Sequence, residues 1–282
     1  MAEIRIDPIT GLRALVATAG DVPEGDRVAI GVVAVAHPML RHDSPDAPPQ
    51  DSPDLFGALA ARGADELLAI ASGSAGSLAG LAVEQLCAAA DTWRERMRAH
   101  DDAAYVHLGV DEDPPSERIE ARLLALGFVP AAVARERERF SAHAVRTMGG
   151  NLLEDIVQEE VRRRARIVAI DDEAVLLCPY ASRHPFTLML APRRRRERFQ
   201  DDGATGARLL HRGLGLLRER FGTCPPVSLW IRTAPRGAER FCWRIDVVPR
   251  LACPGAIELG TEIACNPVAP EQAAAELRAL LR

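Results

Sequence analysis

Lysine is missing from this chain: all 35 basic residues of its 282 are arginine. That excludes a Schiff-base lysine, a phosphate-loop lysine and a lysine general base. Aromatic residues make up only 4%, and no run of about 18 apolar residues occurs, so no membrane-spanning helix is expected. The six cysteines (Cys87, Cys178, Cys224, Cys242, Cys253 and Cys265) include no Cys-x-x-Cys pair. A zinc ribbon is therefore not expected, and scattered thiols of this kind read as small buried apolar residues. The opening Met1-Ala2-Glu3-Ile4-Arg5 lacks the basic-then-apolar order of a secretory signal, which makes a cytoplasmic location the expectation. A formal charge of −5 and a pI near 5.9 provide no general attraction to nucleic acid or to an anionic membrane, and neither is expected as a partner.

What the chain does have is enough apolar residue, 48%, to bury a substantial core, arranged in a layout that occurs twice. In the first stretch Glu66 to Ala71 reads as a strand. Val83, Leu86, Cys87, Ala90, Trp93 and Met97 then recur at helical spacings of three and four. Ala104 to Val110 follows as a strand, Asp111 to Pro115 as an acidic turn, and Arg118 to Leu126 as another strand. The second stretch repeats the order with a strand at Phe186 to Leu190 and a helix marked by Leu209, Leu210, Leu214, Leu217 and Phe221. Strands at Val227 to Arg232 and Phe241 to Val248 complete it. The fold expected is α+β, with two units of antiparallel sheet and packed helix, residues 1–147 and 148–282. They join near Met148-Gly149-Gly150, between helical segments at Val129 to Arg146 and Leu152 to Arg166. Pro270-Glu271-Gln272 opens a C-terminal helix with proline in its first turn.

Several ordered segments resemble one family. They are Arg5-Ile6-Asp7-Pro8-Ile9-Thr10-Gly11, Ala125-Leu126-Gly127-Phe128-Val129-Pro130, Cys178 to Phe186 and Thr233-Ala234-Pro235-Arg236-Gly237, followed by Val248 to Leu251, Glu258 to Thr261 and Asn266 to Glu271. Together they are similar to the galactose-1-phosphate uridylyltransferases, whose two units are of the histidine-triad type. That resemblance implies a histidine-proline-histidine strand, one imidazole of which attacks the α-phosphate of a UDP-sugar. Counting back from Phe128 puts Arg118, Ile119 and Glu120 on those positions, with Glu120 on the nucleophile and Arg122 on the following glutamine. It also implies a histidine-tryptophan-histidine strand that helps hold a metal, where this chain has Cys242, Trp243 and Arg244. On this reading both histidine sets are lost, no metal or other cofactor is expected, and the protein is a non-catalytic or repurposed binder of a nucleotide, UDP-sugar, sugar phosphate or protein partner. The alternative is a nucleotidyltransferase or phosphoester hydrolase with a non-histidine mechanism. The family's dimeric habit is compatible with a homodimer.

Strand alternation groups Arg118, Glu120 and Arg122 on one face, and Cys242, Arg244 and Asp246 on another, opposite Phe241, Trp243 and Ile245. These six are the ligand-binding candidates. The arginine–glutamate series reads first as a self-neutralising surface ladder, second as an anion-binding groove, third as a catalytic carboxylate. Arg193 to Arg198 reads as a solvated or ion-paired loop, and Arg162, Arg163, Arg164 and Arg166 as partners of the preceding acidic residues. The glycines Gly73, Gly76 and Gly80 match no phosphate-loop spacing, and His37 and His42 sit beside a proline-rich loop.

Overall fold

The computed structural model describes residues 2–6, 13–17, 32–33, 59–60, 63–70, 75–115, 118–251, 256–261, 264 and 266–281. His37, His42 and Gly73 lie outside them. The strands in chain order are β1 (Ala2–Ile6), β2 (Arg13–Ala17), β3 (Val32–Val33), β4 (Leu59–Ala60), β5 (Gly63–Ile70), β6 (Tyr105–Glu112), β7 (Ile119–Leu126), β8 (Ile167–Ile170), β9 (Ala174–Leu177), β10 (Leu188–Pro192), β11 (Val227–Arg232) and β12 (Arg244–Pro249). The helices are α1 (Val83–Arg98), α2 (Ala131–Arg146), α3 (Leu152–Arg163), α4 (Ala207–Phe221), α5 (Ala256–Thr261) and α6 (Pro270–Ala279). None is long and apolar enough to cross a membrane.

The repeated layout is present, and the two copies share a single sheet. Its order is β3-β5-β7-β6-β11-β12-β10-β9-β8, with every pair antiparallel. The triplet β5-β7-β6 is thus met in mirrored order by β11-β12-β10, and the seam is the β6–β11 pair, where Val110 lies opposite Leu229. Strands β1, β2 and β4 form a separate small sheet.

Alternation along the strands sends side chains to two different layers. Leu108, Leu123, Leu176, Leu190, Leu229 and Val247 point to the layer of α1, α4 and α6, in a core that spans both halves. The stripe read for α1 is the face buried there: Leu86, Trp93 and Met97 are all at most 1% exposed. Truncating one such aromatic costs about 3–5 kcal/mol. On the opposite face α2 and α3 pack through Phe140, Leu153 and Val157 over Val175, Leu177, Met189 and Ala191. Local signals set the ends of these helices. The Asn151 side chain accepts from the amides of Leu153 and Glu154 at 3.1 Å to start α3, while Arg164 stops it in the left-handed region.

Several boundaries and one element differ from the sequence reading. Asp111 and Glu112 extend β6, because Glu112 pairs across the seam with Val227. The strand expected from Phe186 starts at Leu188, since Phe186 sits in a turn at φ +56. The strand expected from Phe241 starts at Arg244, after Arg240 at φ +67. The hairpin β8–β9, two short apolar runs around Asp171 and Asp172, was not anticipated and forms one edge of the sheet.

Candidate functional site

Of the six candidate residues, Glu120, Arg122, Arg244 and Asp246 lie in strands of one sheet and on the same face of it, while Arg118 and Cys242 stand just before their strands. On β7, Ile119, Ala121 and Leu123 are buried toward α1, which leaves Glu120 and Arg122 half-buried on the other side, with Arg118 exposed just before the strand. The adjacent positions run Leu67–Arg122–Gly109–Trp230–Asp246 across β5, β7, β6, β11 and β12. Arg122 and Asp246 are thus three strand spacings apart, roughly 14 Å at about 4.8 Å each. The two halves of the predicted site share a floor without touching.

The charge pattern differs from a self-neutralising ladder. Arg122 makes a bidentate pair with Asp65 of β5, its Nε 2.9 Å from Oδ1 and its Nη2 2.6 Å from Oδ2. The Asp65 side chain is fully buried, which makes this pair more than a surface contact. Glu120, by contrast, makes no hydrogen bond or ion pair among the described residues.

Arg244 is the hub of the second half. Its Nη1 and Nη2 each lie 3.0 Å from an oxygen of Glu136 on α2, and its Nε lies 3.0 Å from Asp246. Arg232, directly across on β11, approaches the same Glu136 at 3.5 Å. Glu136 therefore separates two like charges that would otherwise face each other. Burial would raise the Glu136 carboxyl, but the hydrogen bonds and charge of Arg244 hold it below its ordinary value. Burial pushes the Asp246 carboxyl up against the pull of Arg244, leaving Glu136 the firmer counter-ion. Residues holding a metal here would have to include a guanidinium, which carries its own charge and has no lone pair to donate. The donor set does not fit a metal, and the arginine itself ties α2 to the sheet.

Cys242 packs under α2 and α3 at 1% exposure, and burial pushes its thiol up to about 11. Phe241, expected on the opposite side, lies in the same cluster and stacks on Phe140 at 4.8 Å, because residues 241 to 243 are not in a strand. Trp243 does point the other way, its Nε1 donating to Asp202 at 2.9 Å. The arginine-rich loop is ion-paired as expected. Arg196 meets Asp202 at 3.1 Å, Arg195 meets Glu197, and Arg198 meets Asp101. Arg162 and Arg163 pair with Glu159, and Arg166 with Glu160 and Glu271.

Sequence reasoning missed the residues at the seam. Tyr105 and His107 of β6 and Trp230 and Arg232 of β11 occupy the same face, and the Tyr105 hydroxyl and Trp230 Nε1 are buried without a hydrogen-bond partner among the described residues. His107 makes no hydrogen bond among the described residues. Burial and the nearby Arg232 lower it to about 4, so its imidazole is neutral at pH 7. Its Nε2 lies over Gly109, 3.4 Å from where a Cβ would stand. Alternation along β6 would have placed His107 on this face, but only the β6–β11 pairing brings it to Arg232.

No protein-family model matches the chain. The galactose-1-phosphate uridylyltransferase of Rattus norvegicus is 27% identical over 268 residues, 86% of this chain and 69% of that one. A solved uridylyltransferase mutant superposes with a TM-score of 0.85 at 21% identity, covering 99% of this chain and 98% of the other. An ADP-glucose phosphorylase from Arabidopsis thaliana, solved with bound ADP-glucose, gives 0.74 at 18% identity, with the same coverage. Sequence and architecture agree: the chain is a homologue of galactose-1-phosphate uridylyltransferase and has the fold of that nucleotidyltransferase family.

Proposed function

We propose that this protein binds a nucleotide, nucleotide sugar or sugar phosphate on the face of β5, β7 and β6 that carries Glu120, without uridylyl transfer through an imidazole of β7. Residues 1–147 and 148–282 are taken as its two repeat units. The observation that carries this reading is Glu120. A carboxylate stands where the resemblance puts the nucleophile, and it is weakly nucleophilic and repelled by phosphate oxygens. The nearest guanidinium on its strand, Arg122, is already bonded to Asp65. The names of the relatives supply the ligand class: galactose 1-phosphate and a uridylyl group for the rat protein, ADP-glucose for the plant one. Calorimetry with UDP-glucose, ADP-glucose, UDP and galactose 1-phosphate tests it. A saturable signal from at least one, weakened by Arg122→Ala, is expected. Silence from all four would end the ligand reading in favour of a protein-binding scaffold.

One observation favours a second reading, transfer or hydrolysis by another group: the neutral imidazole of His107 on the adjoining strand. Labelled UDP-glucose separates the two. Protein-bound label that survives Glu120→Gln and disappears in His107→Asn would replace the binding reading with a catalytic one.

A further inference from the structure

The sheet face under α2 and α3 holds a cavity that the reading above does not use. It is an open-mouthed hollow of about 450 Å3 between those helices and β9, β10 and β12. Phe140, Leu153, Leu177 and Met189 form its apolar wall. At its edge stand Ile156 and Tyr180, 41% and 75% exposed, where large apolar side chains would ordinarily be covered. An apolar hollow with a few polar groups is the usual form of a small-molecule site.

The polar group that decides the ligand is Glu160, which lines the cavity and is only 3% exposed. Its Oε1 takes both bonds from Arg166, at 2.9 Å to Nε and 2.7 Å to Nη2, while its Oε2 is buried with no hydrogen-bond partner among the described residues. A carboxylate oxygen left in that state is a standing demand for a donor. The other two carboxylates of the lining, Glu136 and Asp246, are both bonded to Arg244. Each of the three lining carboxylates has a guanidinium partner, Arg166 for Glu160 and Arg244 for Glu136 and Asp246, so what stands unpaired among the described residues is Glu160 Oε2. A carboxylate oxygen repels a phosphate and accepts from an N–H donor, most strongly from a cationic one.

We infer that the cavity binds a small organic cation, an ammonium or amidinium group on a compact aromatic or alicyclic body. Its N–H donates to Glu160 Oε2 and its body lies against Phe140, Leu177 and Met189. The site lies over β9, β10 and β12, several strands along the sheet from β7, and does not depend on what binds there. Calorimetry on the full chain with benzamidine, phenethylamine and cyclohexylmethylamine tests it, each paired with its uncharged counterpart: benzamide, 2-phenylethanol and cyclohexylmethanol. At least one cation should bind with 1:1 saturation, at least tenfold tighter than its counterpart. Glu160→Gln should weaken it at least tenfold, and Arg166 keeps Glu271 as a partner in that variant. Ile156→Trp, a change at an exposed rim position, should block the mouth and abolish binding. No saturable binding by any of the three cations, equal affinity for the uncharged counterparts, or unchanged affinity in both variants would each overturn the assignment.

Discussion

Replacing Glu136 by alanine removes the carboxylate that joins α2 to two neighbouring strands, and its cost can be worked from the geometry. Two bonds of 3.0 Å to Arg244 are lost, together with the 3.5 Å approach of Arg232. Among the described residues, the two arginines, opposite each other on β11 and β12, are then left with Asp246, which is bonded to Arg244 and attracts Arg232 through space. Removing one partner of a buried pair costs about 3–5 kcal/mol, because the other charge is left uncompensated. Glu136 is 25% exposed and Arg244 17%, so water offsets part of this and the lower end, about 3 kcal/mol, applies. For a chain of this size that corresponds to a fall in Tm of roughly 6–12 °C. Urea titration and scanning calorimetry of Glu136→Ala, Arg244→Met and the double variant form the assay. The expected coupling energy is about 2–3 kcal/mol, with Arg244→Met recovering much of the loss by withdrawing the stranded charge. Because Glu136 is held below its ordinary value, its contribution is present above about pH 4.5 and fades as the pH falls further. Additivity of the two single changes within about 0.5 kcal/mol would refute the claim that Arg244 is a structural tie.

Two buried groups should give opposite pH dependences. Burial raises Glu112 to about 7, so its folded form keeps a proton that the unfolded form has lost, and its contribution declines as pH rises from about 4.5 to 7. His107, lowered to about 4, does the reverse: stability is lost as pH falls from about 6.5 to 4, where only the unfolded chain takes up the proton. Urea titrations between pH 4.5 and 6.5 should therefore be nearly flat for the native sequence, rise with pH in Glu112→Gln and fall in His107→Asn, by up to about 1.4 kcal/mol per pH unit. Parallel profiles for all three would refute the pairing. At the start of α4, Gly206 has φ +80, and a Cβ there would stand 2.6 Å from Leu190 Cδ2. Gly206→Ala should cost about 1–3 kcal/mol by chemical denaturation, and a change below about 0.5 kcal/mol would show that the turn relaxes freely.

The repeated order of strand, helix and paired strands was legible from periodicity, because each element buries one face and the spacing of apolar residues records which face it is. That is why the stripes of α1 and α4 and the alternation of β7 were readable in advance. The ion-pairing of the acidic and basic residues in α3 was readable for the same reason, since helical spacing makes them neighbours. The resemblance to the uridylyltransferases was carried by ordered local segments, which can be read without knowing what they touch.

Pairings between residues distant in the chain were not legible. Nothing local in Tyr105–Glu112 or Val227–Arg232 says that these strands meet, yet that seam joins the two repeated stretches into one sheet and sets His107 beside Arg232. Glu136 was hidden in a segment read only as helical, and its role exists only because α2 folds back onto β12. The same holds for Asp65 and Arg122, which are 57 residues apart. A sequence specifies which side of each element faces inward; which charges meet across elements is settled by sheet order and helix docking, and those follow from burying the whole core at once.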